Sequence, residues 1–302
     1  MENKKITKNI KLLFLISLTL IFVFFLNFRN IKCSQYGDFI LDKLFGMNLD
    51  CYERKIKGVI YPWVKNLDAR YAFFENKKNI KCPKNSKIIL ISGQSNASNF
   101  LKSSKNYKNK HLNYFRGKCY NLSNPVLGAE GEMSSLVPAI AAKLNSSEKI
   151  IFITSGRGGM PIKHANNKNK VFINYNKKAL DDLEKNNNVL SFFVWIQGES
   201  DIGNSDHYLD NFNNMFNSIV KDLKNKNNIN LIITQTTRCF NKDDPNLREI
   251  QKKISMNRNK SIEVINTDKL GNNYRYDKCH FNEMGIELLS NQISGIINEL
   301  NR

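Results

Sequence analysis

The sequence predicts an α/β fold: a parallel sheet sandwiched between helices, preceded by one membrane-spanning helix. Three observations carry this. Five short apolar runs recur along the chain, helical patterns separate them, and a longer apolar run stands near the amino terminus. Strands that alternate with helices build a parallel sheet covered on both faces.

The first element is the amino-terminal run. Lys4, Lys5, Lys8 and Lys11 precede Leu12 to Phe28, which only Ser17, Thr19 and Asn27 interrupt. About 17 residues at a helical rise reach roughly 25 Å, the short end for a bilayer span. A cleaved signal peptide begins in the same way, but it wants small residues at its exit. This run leaves through Phe24-Phe25-Leu26-Asn27-Phe28-Arg29, which favours an uncleaved signal anchor. The lysines would hold the amino terminus in the cytoplasm and export the rest. Residues 1–33 are thus read as cytoplasmic stub and anchor. Residues 34–85 are read as a membrane-proximal segment packing on the main domain, with short helices at Tyr36 to Phe45 and Val59 to Phe74. A cleaved signal would instead release a secreted domain.

From residue 86 the pattern becomes regular. Strands are expected at Lys87 to Ser92, Glu148 to Thr154, Val189 to Trp195, Ile229 to Thr234 and Ser261 to Asn266. Such continuous apolar runs suit strands buried on both faces. Helices are expected at Ser134 to Leu144, Asn174 to Glu184, Tyr208 to Leu223, Asn246 to Asn257 and Asn282 to Leu300. Lys102 to Val126 shows little periodicity and reads as an ordered loop beside the site.

Charge and cysteine content bound the function. The 302 residues carry a net charge of +19, but lysine is spread along the chain and mixed with Asn and Ile, as in NKKNIK. That pattern fits a diffuse basic composition, and no nucleic-acid partner is expected. The six cysteines are Cys33, Cys51, Cys82, Cys119, Cys239 and Cys279, and none forms a C-x-x-C pair. In an exported domain they allow up to three disulfides; in a reducing compartment they stay thiols. Cys239 and Cys279 follow the fourth and fifth strands, so both fall on the carboxyl-end rim, where a disulfide between them is one allowed pairing.

Three segments carry the chemistry. Gly93-Gln94-Ser95-Asn96 follows the first strand and offers a hydroxyl at a turn. Trp195-Ile196-Gln197-Gly198-Glu199-Ser200-Asp201 follows the third and offers an amide. Asp277-Lys278-Cys279-His280 precedes the last helix and offers a carboxylate three residues before an imidazole. Ligands of open α/β sheets bind at the carboxyl ends of the strands. A serine, an imidazole and an orienting carboxylate are the parts of acyl transfer through a serine nucleophile. Ser155-Gly156-Arg157-Gly158-Gly159, after the second strand, lets backbone N–H groups approach a reacting carbonyl, although it lacks a P-loop ending. Glu199 and Asp201 have no histidine at metal-ligand spacing, so they are read as loop-fixing acceptors, and no metal is expected. His111, His164 and His207 have no carboxylate companion of this kind.

Taken together, G-Q-S-N, W-x-Q-G-E-S-D and D-x-x-H resemble the SGNH hydrolase superfamily, in its sialate O-acetylesterase-like branch of carbohydrate esterases. The likeness covers roughly residues 86–300, the expected catalytic domain being 86–302. It implies a three-layer α/β/α sandwich with a five-stranded parallel sheet. It also implies Ser95 as nucleophile, His280 as general base and acid, and Asp277 as its orienting partner. The N–H groups of Ser95 and of Gly158 or Gly159, with the Gln197 side chain, would bind the oxyanion. Gln94, Asn96, Glu199 and Asp201 would support the site. Met160-Pro161 stands where relatives usually carry a small hydroxyl residue, which leaves open which glycine donates. The implied reaction is removal of acetyl groups from a carbohydrate, with no cofactor. Two alternatives share these residues: an O-acetyltransferase with the same triad, and an inactive glycan-binding domain.

Overall fold

The computed structural model describes residues 77, 79–166, 171–256 and 262–301, all within the unit Arg70–Arg302. The span expected at Leu12 to Phe28 and the helices expected at Tyr36 to Phe45 and Val59 to Phe74 lie outside the described residues. Among the described residues no helix is long and apolar enough to cross a membrane.

In chain order the elements are β1 (Asn79–Ile80), β2 (Lys87–Gly93), β3 (Leu112–Phe115), β4 (Lys118–Asn121), α1 (Val137–Ala142), β5 (Ile151–Thr154), α2 (Ile162–Ala165) and α3 (Val171–Glu184). They continue with β6 (Val189–Gly198), α4 (Tyr208–Val220), β7 (Asn230–Thr236), α5 (Pro245–Met256), β8 (Ile262–Ile265) and α6 (Glu283–Leu300). The five expected strands are β2, β5, β6, β7 and β8. They lie side by side in the order β5-β2-β6-β7-β8, every neighbouring pair parallel. The sheet is wider than the five strands expected. Among the described residues it has eight, in the order β1-β4-β3-β5-β2-β6-β7-β8.

The additional strands have two to four residues each, too short to print a period on the sequence. β3 and β4 form an antiparallel hairpin inside the stretch expected to be loop. Its two turn residues, Arg116 and Gly117, have φ of 49° and 80°. Positive φ at both positions is what a tight hairpin turn needs, and Asn-Gly is its usual sequence signal. Arg-Gly hides it. β1 pairs antiparallel with β4, and a disulfide joins Cys82, just after β1, to Cys119 in β4.

Alternate strand residues feed two separate cores, as a period of two requires. Ile88, Leu90, Phe193, Trp195, Leu231 and Ile233 enter one core, with Phe172 and Leu180 of α3, Phe212 and Phe216 of α4, and Leu247 and Ile254 of α5. Ile89, Ile91, Phe192, Val194, Ile196 and Ile232 enter the other, with Val137 and Ile140 of α1, and Ile286, Leu289, Ile293 and Ile297 of α6. Each fully buried side chain of this size contributes about 1.5–3 kcal/mol. Trp195 is fully buried and donates from Nε1 to the Tyr208 hydroxyl at 3.1 Å, so its one polar atom is satisfied.

β2 ends at Gly93, where the site begins. A Cβ on Gly93 would lie 1.9 Å from the carbonyl oxygen of Ile196 in β6, and φ there is +141°. Only glycine lets the end of β2 press this closely on its neighbour.

Candidate active site

Ser95 sits on a single 3-10 turn, Ser95–Ala97, at the carboxyl edge of the sheet. The W-x-Q-G-E-S-D segment holds this turn from below. Gln94 N donates to Ile196 O at 2.9 Å. Gln94 Oε1 accepts from the N–H groups of Gly198 (3.3 Å) and Ser200 (3.1 Å).

The D-x-x-H segment folds into a tight loop around its own carboxylate. Asp277 Oδ2 is 2.6 Å from His280 Nδ1. Its Oδ1 accepts from His280 N at 2.7 Å and from Cys279 N at 3.0 Å. Burial pushes the Asp277 carboxyl up. The His280 ring and these backbone donors outweigh that and hold it below the usual carboxylate range. Asp277 is therefore ionised at neutral pH and fixes the imidazole through Nδ1, leaving Nε2 for proton exchange. The rings of Phe100 and Tyr276 lie near-parallel to the imidazole, with centroids 6.1 and 5.9 Å away. The Tyr276 hydroxyl donates to Phe100 O at 3.0 Å.

Asn96 joins the two segments. Its side chain is fully buried. Nδ2 donates to Glu199 Oε1 (2.5 Å) and to Cys279 O (3.3 Å), and Oδ1 accepts from Phe281 N (3.2 Å). The residue next to Ser95 thus grips both neighbours of His280. Ser95 and His280 themselves are not hydrogen-bonded in this structure; catalytic contacts commonly tighten only when substrate binds. Asn282 then caps α6, accepting from Gly285 N at 3.1 Å, which starts the last helix directly after the loop.

Glu199 and Asp201 lie beneath this surface as acceptors. Burial raises the Glu199 carboxyl to about 8, against the opposing pull of Asn96. Burial likewise raises Asp201 to about 6, opposed by Gln197 and by the N–H of Ile162. Gln197, expected to donate to the oxyanion, has its side chain turned into the protein. It is fully buried, and its Nε2 donates to Met160 O at 3.1 Å and to Asp201 Oδ2. Both amide hydrogens are occupied inside the protein.

The glycine turn after β5 lies against the serine turn. Arg157 N donates to Gly93 O at 3.0 Å. A Cβ on Gly156 would lie 2.4 Å from Ser98 Oγ and 2.6 Å from Ala97 O. Gly158 N donates to Glu130 Oε2 at 2.8 Å, whereas the N–H of the exposed Gly159 makes no hydrogen bond among the described residues. Sequence reasoning did not find Glu130, Phe100, Arg275 or Tyr276. Arg275 donates from a terminal guanidinium nitrogen to Cys279 O and stacks on Phe281 at 4.4 Å. Its place two residues before Asp277 was the one available signal.

Residues 130–296 match the model of the family described as carbohydrate esterase, sialic acid-specific acetylesterase. No curated protein matches the chain. Among solved structures, it is similar to a protein from Arabidopsis thaliana at 16% identity and a TM-score of 0.56, over 71% of this chain and 98% of that one. It is similar to NanS at 14% identity and a TM-score of 0.52, over 72% and 98%. At these identities the two structures speak for the fold. The family match spans more than half of the chain and takes in both W-x-Q-G-E-S-D and D-x-x-H, so the chain belongs to the sialic acid-specific acetylesterase family of carbohydrate esterases.

Proposed function

We propose that this protein is a serine esterase that removes O-acetyl or similarly short acyl groups from a glycan. One observation carries the reading: a carboxylate-anchored histidine stands on a loop that Asn96 clamps to the turn bearing Ser95. Membership of an acetylesterase family supports an acetylated sugar as substrate.

In this mechanism Ser95 Oγ attacks the ester carbonyl while His280 Nε2 takes its proton. Asp277 stabilises the imidazolium that forms. The oxyanion rests on backbone N–H groups, those of Ser95 and of the Gly158-Gly159 turn, of which Gly159 has its N–H without a partner among the described residues. His280 returns the proton to the leaving sugar hydroxyl. Water, activated by the same imidazole, releases acetate from Ser95. No cofactor takes part. The anchor at Leu12 to Phe28 would hold this domain on the outer side of a membrane, where its glycan is met.

The test is turnover of an O-acetylated sugar and of p-nitrophenyl acetate by wild type, Ser95→Ala, His280→Ala and Asp277→Asn. Each variant is expected to lose roughly 10³-fold or more in kcat. A phosphonate ester probe should add its mass to the Ser95 peptide of wild type and not to the Ser95→Ala protein. Wild-type turnover in Ser95→Ala would end the serine esterase reading.

A further inference from the structure

Cys279 stands between Asp277 and His280, and every group it offers is engaged. Its N–H donates to Asp277 Oδ1. Its carbonyl accepts from Asn96 Nδ2 and from Arg275. Its sulfur is bonded to Cys239, with the two Cα atoms 4.2 Å apart. The next residue in the chain is the catalytic imidazole, and the preceding one, Lys278, has a φ of +69°. A non-glycine residue in that region costs on the order of 1–2 kcal/mol and persists only where its surroundings hold it.

The other end of the disulfide is firmly held. Cys239 and Lys242 exchange N–H···O bonds at 2.9 Å each, and Phe240 N donates to Lys278 O at 3.1 Å. Just before Cys239, the N–H groups of Thr237 and Arg238 both donate to Asp268, at 2.9 and 2.7 Å. Asp268 is in turn paired with Arg248 at 2.9 Å. The bond thus runs from the braced end of β7 to the middle of the D-x-x-H loop.

We propose that the Cys239–Cys279 disulfide is a positioning element for the reaction: it holds Cys279, and with it the left-handed Lys278, so that Asp277 and His280 keep their register against the Ser95 turn, and full activity requires the oxidised form. The inference rests on the serine esterase reading above. Reduction by dithiothreitol breaks the Sγ–Sγ bond, delivers two electrons and two protons to give two thiols, and leaves the reductant as its cyclic disulfide. Lys278 is then free to leave its costly conformation, and the Asp277 hydrogen bonds that depend on it loosen. Misplacement by about 1 Å is enough to cost about 10²-fold in rate.

The second disulfide supplies the control. Cys82–Cys119 closes a separation of 37 residues and Cys239–Cys279 one of 40, so loop-closure entropy gives the two nearly equal weight in stability. Cys82–Cys119 joins β4 to the segment after β1, at the edge of the sheet away from the serine turn. The full chain is prepared as wild type, Cys82→Ala/Cys119→Ala and Cys239→Ala/Cys279→Ala. Tm, kcat and KM are measured, and the His280 ring is titrated by NMR. Both double variants should lose Tm to a similar degree. Only Cys239→Ala/Cys279→Ala should lose about 10–10²-fold in kcat, with KM changed less than about threefold and the His280 titration displaced. Dithiothreitol added to the Cys82→Ala/Cys119→Ala protein should produce the same loss, and reoxidation should reverse it. That experiment decides the matter if Cys239→Ala/Cys279→Ala does not fold. Unchanged kcat and an unchanged His280 titration after loss of this disulfide would overturn the proposal. A wild type that hydrolyses no ester would instead overturn the esterase reading, and the His280 titration would still show whether the disulfide positions the ring.

Discussion

Among the described residues Glu199 has one side-chain donor, Asn96 Nδ2, and its second oxygen is buried without a hydrogen-bond partner. Its carboxyl is raised from 4.5 to about 8, so the folded chain keeps a proton that the unfolded chain releases between those values. Stability from this group is therefore full below about pH 4.5 and is lost as pH rises toward about 8. Glu199→Gln keeps an acceptor for Asn96 and cannot ionise. It should flatten the fall in stability between pH 5 and pH 9, with a gain over wild type at pH 9 of roughly 2–5 kcal/mol by linkage. Urea unfolding at the two pH values measures it, and an equal fall in both proteins would mean that Glu199 is already ionised when folded. Gln197 is the second residue with a part to be tested, since its Nε2 donates to Met160 O and to Asp201 Oδ2. As an oxyanion donor its loss would cost about 10²–10³-fold in kcat. As an internal strut between Met160 and Asp201, Gln197→Ala should cost roughly 1–3 kcal/mol of stability and less than about tenfold in kcat. Thermal unfolding and steady-state kinetics on the same preparation separate the two. Sequence spacing put Gln197 at the end of the right strand. It could not say which way the side chain turns, because that depends on the carbonyl of Met160 from another loop.

The elements carry their own tests at the ends of strands. Gly93 and Gly117 both have positive φ, yet their surroundings differ. A Cβ at Gly93 would strike the Ile196 carbonyl, whereas one at Gly117 meets nothing within 4 Å. Gly117→Ala should therefore cost about 1 kcal/mol, the conformational penalty alone. Gly93→Ala has to part β2 from β6 and should cost more than about 3 kcal/mol, with loss of activity because Ser95 follows two residues later. Chemical denaturation of the two variants gives the comparison, and equal costs would refute the close approach. Long elements were legible from periodicity: α3, α4, α5 and α6 fall within a few residues of their expected spans. The hairpin of β3 and β4 was not, because four-residue strands gain their identity from the ladder partner rather than from local pattern.

At the scale of the whole molecule, an anchor at Leu12 to Phe28, as the sequence leads one to expect, would make the protein a single-pass membrane enzyme with its domain outside the cytoplasm. Both disulfides described here are consistent with an oxidising compartment. Protease added to spheroplasts of a bacterial expression host should remove the esterase domain and leave a small membrane-bound amino-terminal fragment. Protection of residues 34–302 would reverse the orientation. A mature amino terminus near Asn30 to Ser34 would turn the anchor into a cleaved signal.

By itself the sequence determined the alternation of strands and helices, because buried parallel strands and amphipathic helices each write a local period into the chain. It also determined which three segments meet at the carboxyl edge, since in a parallel sheet every post-strand turn emerges on the same side. Only the tertiary structure decided the width of the sheet, the inward turn of Gln197 and the pairing of Cys82 with Cys119, while it formed the Cys239–Cys279 pairing that the strand order had allowed. It alone showed that Asn96 bridges the serine turn to the histidine loop. Each of these is a contact between residues far apart in the chain. Such contacts are chosen by packing and by the need of buried polar groups for partners, and neither leaves a mark on the local sequence.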